Sequence, residues 1–221
     1  MCGRYAIVLV GGGDLQRRFS LENLLDHPQA RFNVAPTQTL PVVVRNSPDR
    51  VEMMRWGLIP SWAKDASIGS RMINARAETV AEKPAFRRLL RSQRCLVPAT
   101  GFFEWKREGD GKAPHFIHLP DEPLFAFAGL YDTWHDPNGQ TVRSYSIITT
   151  EPNEVIAPIH NRMPLILRRD DEDGWLDPEN TEPENLLPLL RPYPAHAMAA
   201  YPVSRMVNSP ANDAPDLLLR I

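Results

Sequence analysis

Residues Arg94 to Lys106 read RCLVPATGFFEWK. Cys95 to Ala99 predicts one strand and Gly101 to Lys106 a second, which turns at Glu108-Gly109-Asp110-Gly111 and returns along Pro114 to Leu119 as a hairpin. Side chains alternate across a strand, so Phe103 and Trp105 share one face and Glu104 takes the other. A strand glutamate is ordinarily turned to solvent. Flanked by three aromatics, it can instead occupy a partly dry pocket, where desolvation raises its pKa into the range useful for acid and base chemistry. Both placements are open at this level.

Working outward toward the N-terminus, Lys83 to Ser92 predicts a helix with Pro84 in its first turn, Phe86, Leu89 and Leu90 inward, and Arg87, Arg88 and Arg91 offered to water or phosphate. Ile73 to Val80 reads as extended, with Asn74, Arg76 and Glu78 at alternate positions on one polar face. Strands are expected at Pro41 to Arg45 and Val51 to Gly57, the latter running into Pro60 and a loop-borne Trp62 that can be buried or can stack a base. RFNVAPTQ, residues 31 to 38, reads as a polar loop around Pro36. Before it, Asp14 opens a helix to about Asp26, and Arg4 to Val10 is a strand that Gly11-Gly12-Gly13 ends.

Downstream, strands are expected at Leu124 to Leu130, Arg143 to Thr149 and Leu165 to Leu167, with a short helix from Glu151 to Ala157. His160 and Arg162 stand in a loop between Pro158 and Pro164. The acidic stretch Arg168 to Arg191 holds Trp175 and a helix over Glu182 to Leu190, and Ala197 to Val203 is a last strand. The pattern is α+β and mostly β, one domain over residues 1–221, with barrel-like antiparallel sheets and short peripheral helices.

Composition narrows the setting. With 221 residues, 43% of them hydrophobic, the chain can bury a substantial core. Two cysteines make no disulfide framework, and no apolar run marks a leader or a membrane span, so a reducing cytoplasm is expected. Net charge is only −2, but residues 31–113 carry fifteen Lys and Arg against eight Asp and Glu. That segment is locally basic, as a surface for phosphates would be. Cys2, Cys95, His115 and His118 lack metal-ligand spacing, and no cofactor or metal is expected.

Met1-Cys2-Gly3-Arg4 opens the chain. Loss of Met1 would leave an α-amine and a thiol on adjacent carbons, titrating near ~7.7–8.0 and ~8.5. Such a pair traps an aldehyde: the amine forms a Schiff base and the thiol closes a five-membered thiazolidine on the same carbon. The plainer reading of Cys2 is the start of a buried strand.

Taken in order, MCGR, RFNVAP, RWGLIPSWA, INARAET, RCLVPATGFFEWK and IHNRMPLIL resemble the SOS-response-associated peptidase (SRAP) family over nearly the whole chain, through the VSRMVN segment at residues 203–208. The resemblance implies a sensor of abasic sites in single-stranded DNA, with single/double-strand junctions a candidate target, that bonds to them covalently and can carry abasic-site lyase activity. It implies a crosslinking Cys2, an orienting Asn74, a catalytic Glu104 and a catalytic His160. It implies DNA contacts by Arg4, Asn33, Arg76, Thr149 and Arg162, and an apolar wedge at Pro36 and Trp62. Two departures stand out: Ala63 replaces a second tryptophan of some relatives, and Asn161 an aspartate, so a neutral amide adjoins His160. A monomer without membrane association, nucleoid-bound when on DNA, is expected. The alternatives are an N-terminal-nucleophile hydrolase, in which Cys2 attacks an amide, and a passive single-strand binder.

Overall fold

A computed structural model describes residues 2–9, 11, 13–22, 29–45 and 49–221. Among them the strands are β1 (Tyr5–Ile7), β2 (Arg31–Val34), β3 (Thr39–Arg45), β4 (Asp49–Trp56), β5 (Asn74–Arg76), β6 (Arg94–Ala99), β7 (Gly101–Glu108), β8 (Gly111–His118), β9 (Phe125–His135), β10 (Thr141–Thr150), β11 (Met163–Pro164) and β12 (Ala199–Pro202). The α-helices are short: α1 (Asp14–Phe19), α2 (Arg87–Ser92), α3 (Arg169–Leu176) and α4 (Pro183–Leu186). The fold is mostly β, of the α+β class.

Five strands close on themselves. β3 pairs β4 and β6, β6 pairs β9, β9 pairs β10, and β10 returns to β4. Closure gives each strand a neighbour on both sides. β10 runs parallel to β4 and β5 while its other pairings are antiparallel, so the barrel carries a parallel seam. A second sheet, antiparallel throughout, has the order β12-β8-β7-β1-β2.

Only Thr100 separates β6 from β7, so within one residue the chain leaves the barrel and enters the sheet. The Thr100 N–H and hydroxyl both donate to the Ala6 carbonyl, at 2.8 and 3.2 Å. Tyr5 closes this joint from inside: its hydroxyl lies 2.8 Å from that of Tyr145, and its ring meets Trp56 and Phe127 edge-on. Tyr5 and Phe102 enter the main core shared with the barrel, whereas Ala6 and Phe103 face a second core with Phe116, Val203, Val207 and Leu217. The sheet is therefore apolar on both faces, and the C-terminal segment covers the face turned from the barrel.

Arg94 ties the helices to this frame. It is buried and donates to the carbonyls of Leu90 and Arg91 at the end of α2, and of Trp175 and Asp177 at the end of α3. The negative ends of two helices thus stand in for a carboxylate. Trp175 is buried beside it and donates its indole N–H to the Cys95 carbonyl.

Several elements differ from the sequence reading. Residues Arg31–Val34 are a strand, because they pair with β1 at Tyr5↔Val34 and Ile7↔Arg31. Helix α1 ends at Phe19, where Ser20 turns left-handed at φ 52°. The expected continuations to Val10 and through residues 23–26 lie outside the described residues. Ala77–Thr79 winds as a 3₁₀ turn, so Glu78 leaves the row of Asn74 and Arg76. The helix expected from Lys83 begins only at Arg87; Arg88 pairs with Asp132 and Arg91 with Glu182. No helix spans Glu151 to Ala157: the Asn153 side chain caps a single turn by accepting from the N–H groups of Val155 and Ile156, and Pro158, with no N–H to donate, ends it. Leu165 to Leu167 makes only an isolated bridge, Ile166 to Phe127. No helix among the described residues is long and apolar enough to cross a membrane.

The loop carrying Trp62 is set by a close backbone approach. Gly57 has φ +115°, and a Cβ there would stand 2.6 Å from the Gly69 carbonyl. Gly57→Ala is expected to cost about 2–4 kcal/mol from the strained φ and the clash. Urea unfolding of the two proteins measures it, and a loss under about 0.5 kcal/mol, the size of an ordinary surface change, would contradict this reading.

Candidate active site

Beyond Tyr5 the N-terminal chain continues beside β7: the Phe103 N–H donates to the Arg4 carbonyl at 3.0 Å. This pairing carries Gly3 and Cys2 toward Glu104. Cys2 is wholly buried, with Sγ 3.8 Å from the Arg4 carbonyl. Burial, followed by the nearby Glu104 charge, pushes its thiol pKa well up. Glu104 is 2% exposed, on the face opposite Phe103 and Trp105 as the alternation requires. Burial pushes its carboxyl up to about 7, against the opposing pull of a hydrogen bond with the Trp105 backbone and the Lys112 charge.

His160 completes a pair with Glu104. Its Nε2 lies 3.9 Å from Glu104 Oε2. On the other side of the ring, Nδ1 is 3.1 Å from both the backbone N–H and the carbonyl of Arg162. A neutral ring accepts from that N–H and keeps its proton on Nε2, whereas a charged ring donates to that carbonyl. Either protonation state is satisfied without moving the ring. Partial burial lowers the pKa of His160.

Arg162 links this pair to β10 and β5. Its guanidinium forks onto Glu78 at 2.6 and 3.0 Å and reaches the Thr149 carbonyl at 2.6 Å. Thr149 is buried, its hydroxyl shared between Arg162 and the Ala75 carbonyl. The parallel register sets Asn74 beside Ile147 and Arg76 beside Thr149. Asn74 turns Nδ2 toward the Ile147 carbonyl at 3.5 Å, and its Oδ1 is buried with no hydrogen-bond partner among the described residues. Arg76 is exposed at the strand end.

Arg4 and Asn33 form a second group. Arg4 donates to Asn33 Oδ1 and the Val207 carbonyl, both at 2.7 Å, and to the Asn208 carbonyl at 3.1 Å. Asn33 is 0% exposed and its Nδ2 donates to the carbonyls of Val207, Ser209 and Asn212. Asn33 and Thr149, expected along a DNA channel, thus lie inside the protein and hold Arg4 and Arg162 from behind. Pro36 and Trp62 also stand apart from the cleft. Pro36 is half-buried before Thr37, whose N–H donates to the Trp56 carbonyl. Trp62 is 63% exposed on a turn fixed on both sides, Ser61 N–H to Asp132 and Trp134 indole N–H to the Ala63 carbonyl.

Glu104, His160, Arg4 and Gly3 open onto a cleft of about 740 Å³, whose other walls are Trp105, Lys112, Arg205 and Asn208. Sequence reasoning passed over these last four as site residues. A lysine beside a hairpin turn and a polar C-terminal segment carry no local sign of converging. Among the described residues, no group of three His, Cys, Asp or Glu could hold a metal.

The model of the SOS response associated peptidase (SRAP) family matches residues 1–210. The chain belongs to that family. It is 47% identical over 224 residues to abasic site processing protein YoqW of Bacillus subtilis (strain 168), covering 99% of both chains. Against abasic site processing protein YoaM of the same organism it is 48% identical over 222 residues, 99% of this chain and 97% of the relative. The crystal structure of a protein from Bacteroides thetaiotaomicron superposes on this SRAP chain with a TM-score of 0.89, at 31% identity and full coverage of both.

Glu104 has a cost that can be measured. Its proton is held more tightly in the folded chain than in the unfolded one, so stability is greatest below the unfolded pKa of 4.5 and falls as pH rises toward 7. A shift of this size corresponds to about 3 kcal/mol. Glu104→Gln is therefore expected to unfold later than the wild type at pH 8 and to lose that advantage near pH 4. Thermal unfolding at the two pH values checks this; equal stability of the two proteins at pH 8 would refute it.

Proposed function

We propose that this SRAP chain senses and shields abasic sites in single-stranded DNA by forming a thiazolidine crosslink through the α-amine and thiol of Cys2 once Met1 is removed. The observation that carries the reading is the Glu104–His160 pair, 3.9 Å apart at the cleft into which the Cys2 strand leads. The naming of the Bacillus subtilis relatives as abasic site processing proteins supports the substrate class.

The chemistry uses each group once its position is given. An abasic deoxyribose stands mostly as a ring hemiacetal, and a proton delivered by His160 Nε2 to the ring oxygen opens it to the C1′ aldehyde. The α-amine adds to C1′, giving a carbinolamine. Glu104, still half protonated near pH 7, donates to the departing hydroxyl, so that water leaves and a Schiff base remains. The thiol then adds to the same carbon, its proton passing through Glu104 to the imine nitrogen. One water is released overall and one C–N and one C–S bond are formed. The orphaned Asn74 Oδ1 is suited to accept from the reacting amine and hold it in line. Holding both partners makes the attack effectively intramolecular, worth effective molarities of ~10⁵ M or more.

A buried, neutral thiol suits the last step, because an iminium carbon is a strong electrophile. It suits thiolate attack on an amide far less, since such nucleophiles need a lowered pKa. Peptidase chemistry is therefore assigned only to loss of Met1. Strand-cleaving lyase activity is the branch taken when the Schiff base loses a C2′ proton before sulfur closes the ring. Arg76 holds the DNA backbone, Arg162 steadies His160 beside it, and Pro36 and the exposed Trp62 stack where paired DNA gives way to a single strand. The protein acts as a monomer in the cytoplasm, on the nucleoid when bound.

Incubation with single-stranded DNA bearing one abasic site, followed by a denaturing gel, tests the reading. Wild type is expected to give a shifted band, Cys2→Ala none, and His160→Gln a rate lower by about 10²–10⁴. An adduct of unchanged yield in Cys2→Ala would sink the proposal. The rate with wild type should rise toward pH 7 as the amine deprotonates and fall above it as Glu104 ionises. In Glu104→Gln the falling limb should be missing, and a fall that persists there would assign it to another group.

A further inference from the structure

The cleft is larger than one sugar requires, since volumes of roughly 300–1,000 Å³ hold drug-sized ligands. Its outer half is built by residues that the reactive pair does not use. Trp105 is half-buried against the second core, and its indole N–H donates to Asn208 Oδ1 at 2.8 Å, which fixes the ring plane. Lys112 stands opposite Arg107 at the hairpin end, and the Arg205 guanidinium lies over Gly111 at the same turn. Lys112 lines the same cleft as Glu104 and His160.

The cations of this region fall into two kinds. Arg4 is spent on Asn33 and two carbonyls, Arg162 on Glu78, and Lys106 sits 3.8 Å from Glu108. Among the described residues, Lys112 and Arg205 have neither a carboxylate nor a carbonyl partner, although both are exposed in the cleft wall. Two unspent cations lining one cleft with a fixed indole are the components of single-strand recognition: a flat apolar face that takes any base, and point charges for its phosphate.

We infer that Trp105, Lys112 and Arg205 form a subsite for the nucleotide next to the abasic residue, its base stacked on the indole and its phosphate held between the two cations. The subsite rests on the proposed capture of abasic DNA and adds to it a sequence-independent grip. It seats the neighbouring nucleotide so that the baseless sugar falls opposite Glu104 and His160.

The test is the binding of a fluorescently labelled single-stranded oligonucleotide without an abasic site, followed by anisotropy across a salt series. For a single strand, the slope of log affinity against log salt falls by about 0.7 for every phosphate that the protein no longer holds. Lys112→Gln with Arg205→Gln, which together release the one phosphate, is expected to lower the slope by about 0.7. Lys106→Gln, which removes the same charge from the same hairpin outside the cleft, should leave it unchanged. Trp105→Leu should weaken binding about tenfold at fixed salt with no change of slope, while Trp105→Phe, which keeps a ring and the packing, should retain most of the affinity. Thermal unfolding confirms that each variant is folded. A wild-type slope in the double variant, an equal drop in Lys106→Gln, or unchanged affinity in Trp105→Leu overturns the subsite. Failure of the wild type to crosslink abasic DNA would instead overturn the proposed function, and the salt slopes would still be readable.

Discussion

The main-chain pairing of β1 with β7 is the constraint on which the site depends. Through Tyr5↔Phe102 and the bond from Phe103 N–H to the Arg4 carbonyl, a three-residue strand is held inside a five-stranded sheet, between β7 and β2. The buried Tyr5–Tyr145 hydroxyl contact then locks that strand to the barrel. A segment so near the N-terminus would ordinarily fray. Here it is clamped on both edges and on both faces, and the residues before it inherit that order. Glu104 is buried among residues that this pairing positions: its charge acts on Cys2, and Gly3 shares its cleft.

The pair at the cleft is matched by opposite effects of one cause. Desolvation raises a carboxyl, whose charged form is the anion, and lowers an imidazole, whose charged form is the cation. Starting from ordinary values two units apart, the two shifts run in opposite directions, and both favour the neutral form of their group. Arg162 contributes to this in an indirect way. Its side chain is engaged by Glu78 and Thr149, which fixes its backbone, and its backbone N–H and carbonyl are what receive the His160 ring. The residue acts as a mount for the histidine.

Much of this was legible in RCLVPATGFFEWK. The two strands, the hairpin and the opposite facing of Glu104 and Phe103 follow from alternation alone, which is a local rule. Whether Glu104 was wet or dry could not follow, since its cover comes from the far end of the chain and from residue 160. RFNV looked like loop because its strand character is supplied by β1 and by Asp213, whose carboxylate accepts from the N–H groups of Phe32 and Asn33. Residues 151–157 carry a helix start, with Asn153 capping the N–H groups of Val155 and Ile156, but Pro158 has no N–H to carry it past one turn. Motif matching located the polar residues around the site, yet could not tell Arg76, at the surface, from Asn33 and Thr149, inside it. Trp105, Lys112 and Arg205 were missed for a related reason, as they converge only when residue 205 folds across a hairpin about one hundred residues earlier.

The bonds from Arg4 and Asn33 to residues 207–212 have a bearing on the order of events in the cell. Polypeptides are made from the N-terminus, and domains can begin to fold as they emerge. Contacts spanning some two hundred residues are among the last that a chain can form. Residues 2–4 are therefore made some two hundred residues before the segment that completes their surroundings. A nascent chain carries Cys2 and Arg4 without their final setting, which arrives only when residues 207–212 have emerged to bind Arg4 and Asn33.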